Sequence, residues 1–398
     1  MGENAIKPVD QNQRTVIVDV LRGWALLGVA MMNYIDFATF QSSTDKINHS
    51  DTASTVTQFI MGTFFAAKSW TLLSVLFGYG FAVLLNNVEK KGFNPRGFFA
   101  RRMFWLLVLA CINSAFFFGD ILKDYALMGF VMILFYRMRG KTALITSLSL
   151  VVVISFVMPL TGRLIPYDYQ KAIDGLIPLQ HSNSLLTVFT FNLKGTWLTQ
   201  MIYPVYLIPI HLCLLACMLF GLAAYRYNMF NRLPQLKKQV KRTFWISLAV
   251  TLVLTAVDML SWYGHLSYIK YFNFHMMRIF STMVFIASSV CWLYIAGKLK
   301  RFFISLAYFG KMTLTNYMMQ NVISMFVFSG VGLGLYNTMH PAFYVGLAIV
   351  VYILQMFFSK WWLTHYYYGP VEWVWRQLSY GKRLPIKKEK PQAAPVMQ

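Results

Sequence analysis

Apolar stretches long enough to cross a bilayer follow one another along almost the whole chain, at 16–38, 56–88, 102–119, 121–136, 142–160, 201–225, 243–263, 276–297, 312–333 and 342–363. A run of about 20 apolar residues spans the hydrocarbon core as a helix. With 57% hydrophobic and 13% charged residues and a mean hydropathy of +0.51, a soluble domain of 398 residues is excluded. The fold expected is all-α, a polytopic membrane helix bundle of about ten transmembrane helices.

Charge placement orients it. Lys90, Lys91, Arg96, Arg101 and Arg102 share one set of connections with Arg137, Arg139, Lys141, the run from Arg226 to Arg242, and Lys298, Lys300 and Arg301. The alternate set holds Asp45, Asp51, Asp168 and Asp174 with scattered bases such as Lys46, Arg163, Lys171, Lys194 and Lys270. The positive-inside rule then puts both termini in the cytoplasm. Residues 1–15 form a polar cytoplasmic segment, 16–380 a single transmembrane domain and 381–398 a basic disordered cytoplasmic tail. The first apolar run carries Asp19 and Arg22, so it is expected to stay in the mature protein rather than be cleaved as a signal. The net charge of +22 is spread over loops instead of gathered on one domain. Nucleic acid is therefore excluded as a partner, and anionic membrane lipids are the expected one.

The first span, VIVDVLRGWALLGVAMMNYIDFA, contradicts its own apolarity. A charge in hydrocarbon costs roughly 2.5 to 3.5 kcal/mol, so Asp19 and Arg22 must face protein or water. Arg22 and Asn33 return to one helix face about 16 Å apart along the axis, and Asp36 falls on the same side. The stripe either lines a polar passage, or Asp19 and Arg22 form an ion pair that only sets packing. Residues 56–88 are too long for one crossing, which places a break near Lys68. Lys68 then either snorkels outward or points into a cavity.

The turn Gly119–Leu127 holds Asp120, Lys123 and Asp124. Its acids serve either as an acid/base pair or as caps and charge partners at the interface. Segment 161–200 either covers a cavity mouth or is a loose connection. His211, Asp258, His275 and Arg278 are expected to face the bundle interior. Thr313, Asn316 and Gln320 form a stripe suited to interhelical hydrogen bonds. His49 is the histidine of the first exterior loop. Cys111, Cys213, Cys217 and Cys291 lie in apolar spans as buried thiols, and no second cysteine pair completes a metal site.

The string DVLRGWALLGVAMMN resembles the first helix of the YeiB-like family of bacterial inner-membrane proteins, within the transmembrane acyltransferase superfamily. FGYGF at Phe77–Phe81, the turn at Gly119–Leu127, KMTLTNYMMQ at Lys311–Gln320 and GPVEWVWR at Gly369–Arg376 are similar to further motifs of that family, so the resemblance covers nearly the whole chain. Asp19, Arg22, Gly23, Asn33 and Tyr34 also match the D-x-x-R-G and Asn-Tyr of the lysosomal heparan acetyltransferase branch. In the acyltransferase-3 branch a catalytic His stands where this chain has Asn33, which removes the usual general base.

The resemblance implies an inner-membrane enzyme that moves an acyl group from cytoplasmic acyl-CoA to a glycan or lipid acceptor outside. Arg22 would hold a phosphate or carbonyl of the donor. Asn33 would orient the acceptor or the tetrahedral intermediate, and Asp19 would position Arg22. His49 and Asp120 are the candidate bases. The alternatives are a transporter or flippase of a small polar or lipid-linked molecule, and a scaffold or sensor without chemistry.

Overall fold

The structure, a computed structural model, describes residues 15–39, 52–164, 168–263 and 271–388. Helices account for nearly all of them, and among the described residues the one β feature is a bridge pairing Tyr366 with Lys387. Eight helical stretches are long and apolar enough to span a membrane. They are α1 (Val16–Ala38), α2 (Thr52–Ile60) continued into α3 (Lys68–Lys90), α4 (Pro95–Ser114), α6 (Gly140–Leu164), α10 (Pro204–Arg226), α11 (Lys237–Tyr263), α12 (His275–Ile295) and α15 (Pro341–His365). Two further expected spans coincide with shorter helices, α5 (Leu122–Met132) and α14 (Thr313–Phe328). At 1.5 Å per residue α14 is about 24 Å long, and α5 lengthens through a 3₁₀ turn at Ile133–Phe135.

Burial ranks the helices by position. In its most apolar window α1 is 67% buried, whereas α11 is 11% buried and turns Leu252, Val253 and Leu260 outward. Apolar side chains on an outer face suit lipid, where burial gains nothing and close packing of small residues holds helices together. So α1 runs through the centre of the bundle, against α3, α14, α15 and the short amphipathic α13 (Lys300–Lys311). The α1–α13 crossing is made by backbone. A Cβ on Gly310 would lie 1.9 Å from the Asp19 carbonyl oxygen, and one on Gly23 would lie 2.5 Å from that of Leu306. The two glycines of FGYGF serve different neighbours. Gly78 meets the Met218 backbone of α10, and only Gly80 faces α1, beneath Arg22.

The break expected near Lys68 is present. Residues Met61–Phe65 form a π turn, and Ala67 takes φ 62°, a left-handed conformation uncommon outside glycine. Lys68 opens α3 with its side chain buried, and its Nζ donates to the Gly62 carbonyl across the break. It does not snorkel outward, and it borders neither of the two cavities along α1.

Segment 168–201 is structured as α7 (Tyr169–Asp174), α8 (Ile177–Gln180), α9 (Leu185–Thr196) and a second π turn, Trp197–Met201. Its side chains fasten it down: Gln180 donates to the Phe37 carbonyl at 3.1 Å, Asn192 to Ala115 at 2.9 Å and Thr196 to Phe118 at 2.9 Å. The segment is therefore fastened to the bundle rather than a loose connection. The stripe on α14 also behaves as expected, with Asn316 bonded to Ser359 and Gln320 to Gln355 of α15, both at 2.9 Å. Cys213, Cys217 and Cys291 are buried, but Cys111 faces outward on α4, a correction to the expected buried thiol.

Gly310→Ala should force α1 from α13 and lower the thermal midpoint of the detergent-solubilised protein by about 5 °C or more, since overpacking costs about 1 to 3 kcal/mol. Gly346→Ala on α15, where an added Cβ meets nothing within 4 Å, is the matched control and should leave the midpoint within about 2 °C.

Candidate functional site

Two cavities lie end to end along α1. The first, of about 330 Å³, is lined by Asp19 and Arg22 from the first half of the helix; the second, of about 520 Å³, by Asn33 and Asp36 from its far end. Val29 and Ile121 border both, so the division between them falls at mid-helix. The polar stripe of α1 therefore borders both cavities.

At the first cavity Asp19 is buried and Arg22 is 26% exposed, with Nη1 of Arg22 donating to Asp19 Oδ1 at 3.1 Å. Gly80 lets the guanidinium lie against α3, because a Cβ there would come to 3.2 Å from Nη2. Arg102, Lys311 and Arg376 add three more cations, against Asp19 and Glu372 as the acids. The rest of the wall is largely apolar, from Leu26 and Phe77 to Leu106 and Leu314.

Glu372 is the functional-site feature that residue-by-residue reasoning missed; only its place within GPVEWVWR marked it. It sits on α16 (Pro370–Tyr380), outside the spanning helices, and its carboxylate receives the first amides of α14: Leu314 N–H at 2.7 Å and Thr315 N–H at 3.1 Å, together with the Thr315 hydroxyl. A helix N-terminus leaves these donors without intrahelical partners and carries partial positive charge, so a carboxylate from another element caps it. Burial pushes the Glu372 carboxyl above the usual glutamate range, with the Thr315 hydroxyl and the backbone amides pulling the other way. Trp375 on the same helix donates its indole N–H to the Arg102 carbonyl at 2.9 Å and lies under the Arg102 guanidinium at 3.6 Å. These contacts bring α16, α14 and α4 together as one wall of the cavity.

The second cavity carries Ser69, Trp70, Thr199, Gln200 and Tyr206 beside Asn33 and Asp36. Both π turns reach it, one through Phe65 and the other through Thr199 and Gln200. Such turns re-aim side chains that a regular helix would bury elsewhere. Asn33 donates to Asn321 Oδ1 at 3.3 Å, which ties α1 to α14 at this level.

Asp120 is fully buried and borders neither cavity. It accepts from Asn113 Nδ2 (2.9 Å), Ser114 Oγ (3.2 Å), the Leu122 amide (3.0 Å) and the Tyr317 hydroxyl (2.9 Å), joining the end of α4, the start of α5 and α14. Burial pushes its carboxyl above the usual aspartate range, opposed by Lys123, the Leu122 amide, Tyr317 and Asn113. Lys123 and Asp124 are buried rather than interfacial, and they meet Gln200, Tyr206 and His211. Asp258, Arg278 and His275 converge on each other, with Arg278 Nε 2.9 Å and His275 Nδ1 3.7 Å from Asp258 Oδ2. The structure thus brings Asp19 to Arg22 and gives Arg22 and Asn33 adjoining cavities, while Asp120 stands apart. His49 lies outside the described residues.

Residues 224–382 match the model of the family described as "Protein of unknown function (DUF418)". Over nearly its whole length the chain is similar to "Uncharacterized protein YxaH" of Bacillus subtilis (strain 168), 28% identical over 97% of this chain and 99% of that one. It is likewise similar to "Uncharacterized 39.9 kDa protein in amylase 3'region" of Bacillus acidopullulyticus, 27% identical over 96% and 99%. A stretch of 76 residues, 19% of each chain, is 37% identical to "Uncharacterized protein YeiB" of Escherichia coli (strain K12). These similarities support a YeiB-like family, and the matched residues 224–382 include the motifs on α14 and α16.

Because the folded Glu372 carboxyl titrates above its unfolded value of about 4.3, its contribution to stability is complete below that pH and declines as pH rises through the folded value. Glu372→Gln keeps one acceptor oxygen for the α14 amides without the charge. The thermal midpoint of the wild type relative to Glu372→Gln should therefore fall as pH rises from about 4.3, a trend that scanning calorimetry across a pH series would detect.

Proposed function

We propose that this chain is an integral-membrane acyltransferase of the bacterial inner membrane, taking an acyl group from acyl-CoA at the cytoplasmic side and giving it to a glycan or lipid acceptor outside. The observation that carries the reading is the pair of cavities meeting at mid-α1, one bordered by Arg22 and the other by Asn33. The charge rule puts the Arg22 cavity on the cytoplasmic side together with both termini.

That cavity suits the donor. Four cations against two acids favour an anion at the mouth, where Arg102, Lys311 and Arg376 would meet phosphates. Its volume of about 330 Å³ accommodates the slender thioester arm, with the nucleotide left at the entrance. Arg22 holds a phosphate or the thioester carbonyl, and Asp19 fixes the guanidinium and balances its charge when no donor is bound. The second cavity, polar and carrying Trp70 and Asp36, receives a hydroxyl- or amine-bearing acceptor. Asn33 borders it near the division, where an amide N–H stabilises the oxyanion of a tetrahedral intermediate. Asp120 has its oxygens committed to four donors and serves as a structural hub rather than the base.

A transporter or flippase is the second reading, favoured by the same two cavities separated at Val29 and Ile121. Liposomes loaded with radiolabelled acetyl-CoA separate the two. Label on an external acceptor, reduced about 10²-fold or more in Arg22→Ala and in Asn33→Ala, is the expected result. Movement of a solute without coenzyme, and no transfer of label, would replace the enzyme reading with transport.

A further inference from the structure

A buried cluster lies behind the Tyr206 wall of the Asn33 cavity. Asp124, fully buried, has Oδ2 3.1 Å from Lys123 Nζ and 3.3 Å from the Tyr206 hydroxyl, which donates to it; its Oδ1 lies 3.3 Å from His211 Nε2. Tyr206 itself borders the cavity, as does Gln200, whose Oε1 accepts from Lys123. Tyr206 therefore joins the cavity lining to a buried carboxylate and an imidazole.

The chemistry of His211 decides what the cluster can carry. Its Nδ1 faces the Leu207 carbonyl oxygen, which only accepts, so Nδ1 carries a hydrogen. In the neutral imidazole, Nε2 and Asp124 Oδ1 then present lone pairs to each other, and one added proton turns that contact into a hydrogen bond. Charge balance points the same way. Among the described residues Lys123 is the one ammonium in contact with Asp124, and its Nζ also bonds the Asp120 carbonyl oxygen at 2.7 Å. Asp120 and Asp124 are both fully buried, and the carboxylate oxygens of Asp120 accept from four donors. Two carboxylates and one ammonium leave a single negative charge on the cluster at rest, which a proton arriving through Tyr206 cancels.

We infer that Tyr206, backed by the Asp124–His211 pair, is the proton acceptor for the nucleophile in the outer cavity. This rests on the acyl-transfer reading and fills the place left by the Asn at position 33. The acceptor O–H gives its proton to Tyr206 Oη as Tyr206 passes its own to Asp124. The acceptor oxygen bonds the acyl carbon, the carbon–sulfur bond breaks, and the thiolate leaves towards the Arg22 cavity. One proton then rests on the Asp124–His211 pair, and it returns to water through the tyrosine hydroxyl after the product departs.

Two probe nucleophiles outside the acetyl-CoA-loaded liposomes test this. Glycerol must lose a proton to become a competent nucleophile, whereas hydroxylamine attacks through a lone pair already available. General-base catalysis contributes about 10² to 10⁴-fold, so Tyr206→Phe and Asp124→Asn should each slow transfer to glycerol by about 10²-fold or more, and transfer to hydroxylamine by less than about 10-fold. Equal losses with both nucleophiles, or undiminished glycerol transfer in Tyr206→Phe, overturn the inference while leaving the acyl-transfer reading intact. So does a wild type that acetylates hydroxylamine but not glycerol. No transfer to either nucleophile by the wild type overturns the reading and the inference together. Tyr206→Phe removes one oxygen atom, and a thermal midpoint within a few degrees of wild type shows that its effect is not unfolding.

Discussion

A charge placed in hydrocarbon must find an opposite charge or a set of donors inside the protein, and that requirement organises this bundle. Asp19 answers Arg22 within α1, Arg278 answers Asp258 between α12 and α11, and Lys123 answers Asp124 beside His211. Each group alone would cost a few kcal/mol in lipid, so each pairing fixes which helix faces turn inward. The apolar faces left over, as on α11, are free to meet lipid. The usual sense of a core is thereby inverted, because polar contacts do the specifying.

Departures from regular helix occur where the cavities need them. The two π turns and the left-handed Ala67 border the Asn33 cavity, and Lys68 closes the freed backbone by donating to Gly62. Backbone unpaired at membrane depth is tolerated only where protein or a polar cavity satisfies it. At the opposite end the start of α14 is satisfied by the carboxylate of Glu372 from another helix, which couples α16 to the Arg22 cavity. The irregular elements are therefore the ones that shape the proposed site.

Several of these features can be read from residue order, and the reason is local geometry. The helical repeat alone puts Arg22 and Asn33 on one face of α1, and the length of residues 56–88 alone demands a break. The turn at Gly119–Leu127 is legible as a cluster of charges. Its partners are not, because Tyr206 and His211 lie about 80 positions later and reach Asp124 only through the packing of α10 on α5. Glu372 was invisible as a cap for the same reason, since the amides that it holds belong to a helix some 58 residues earlier.

The sequence by itself determined an all-helical membrane protein, the polar stripe of its first helix and the broken second span, because hydropathy, helical period and length act over neighbouring residues. Only the tertiary structure decided that the stripe borders two cavities meeting at Val29 and Ile121, that Asp120 is a buried hub, and that Lys123, Asp124, Tyr206 and His211 gather beside one of those cavities. Those outcomes depend on how closely helices distant in sequence approach each other, and glycine contacts such as Gly310 against the Asp19 carbonyl set that distance through atoms that no single helix contains.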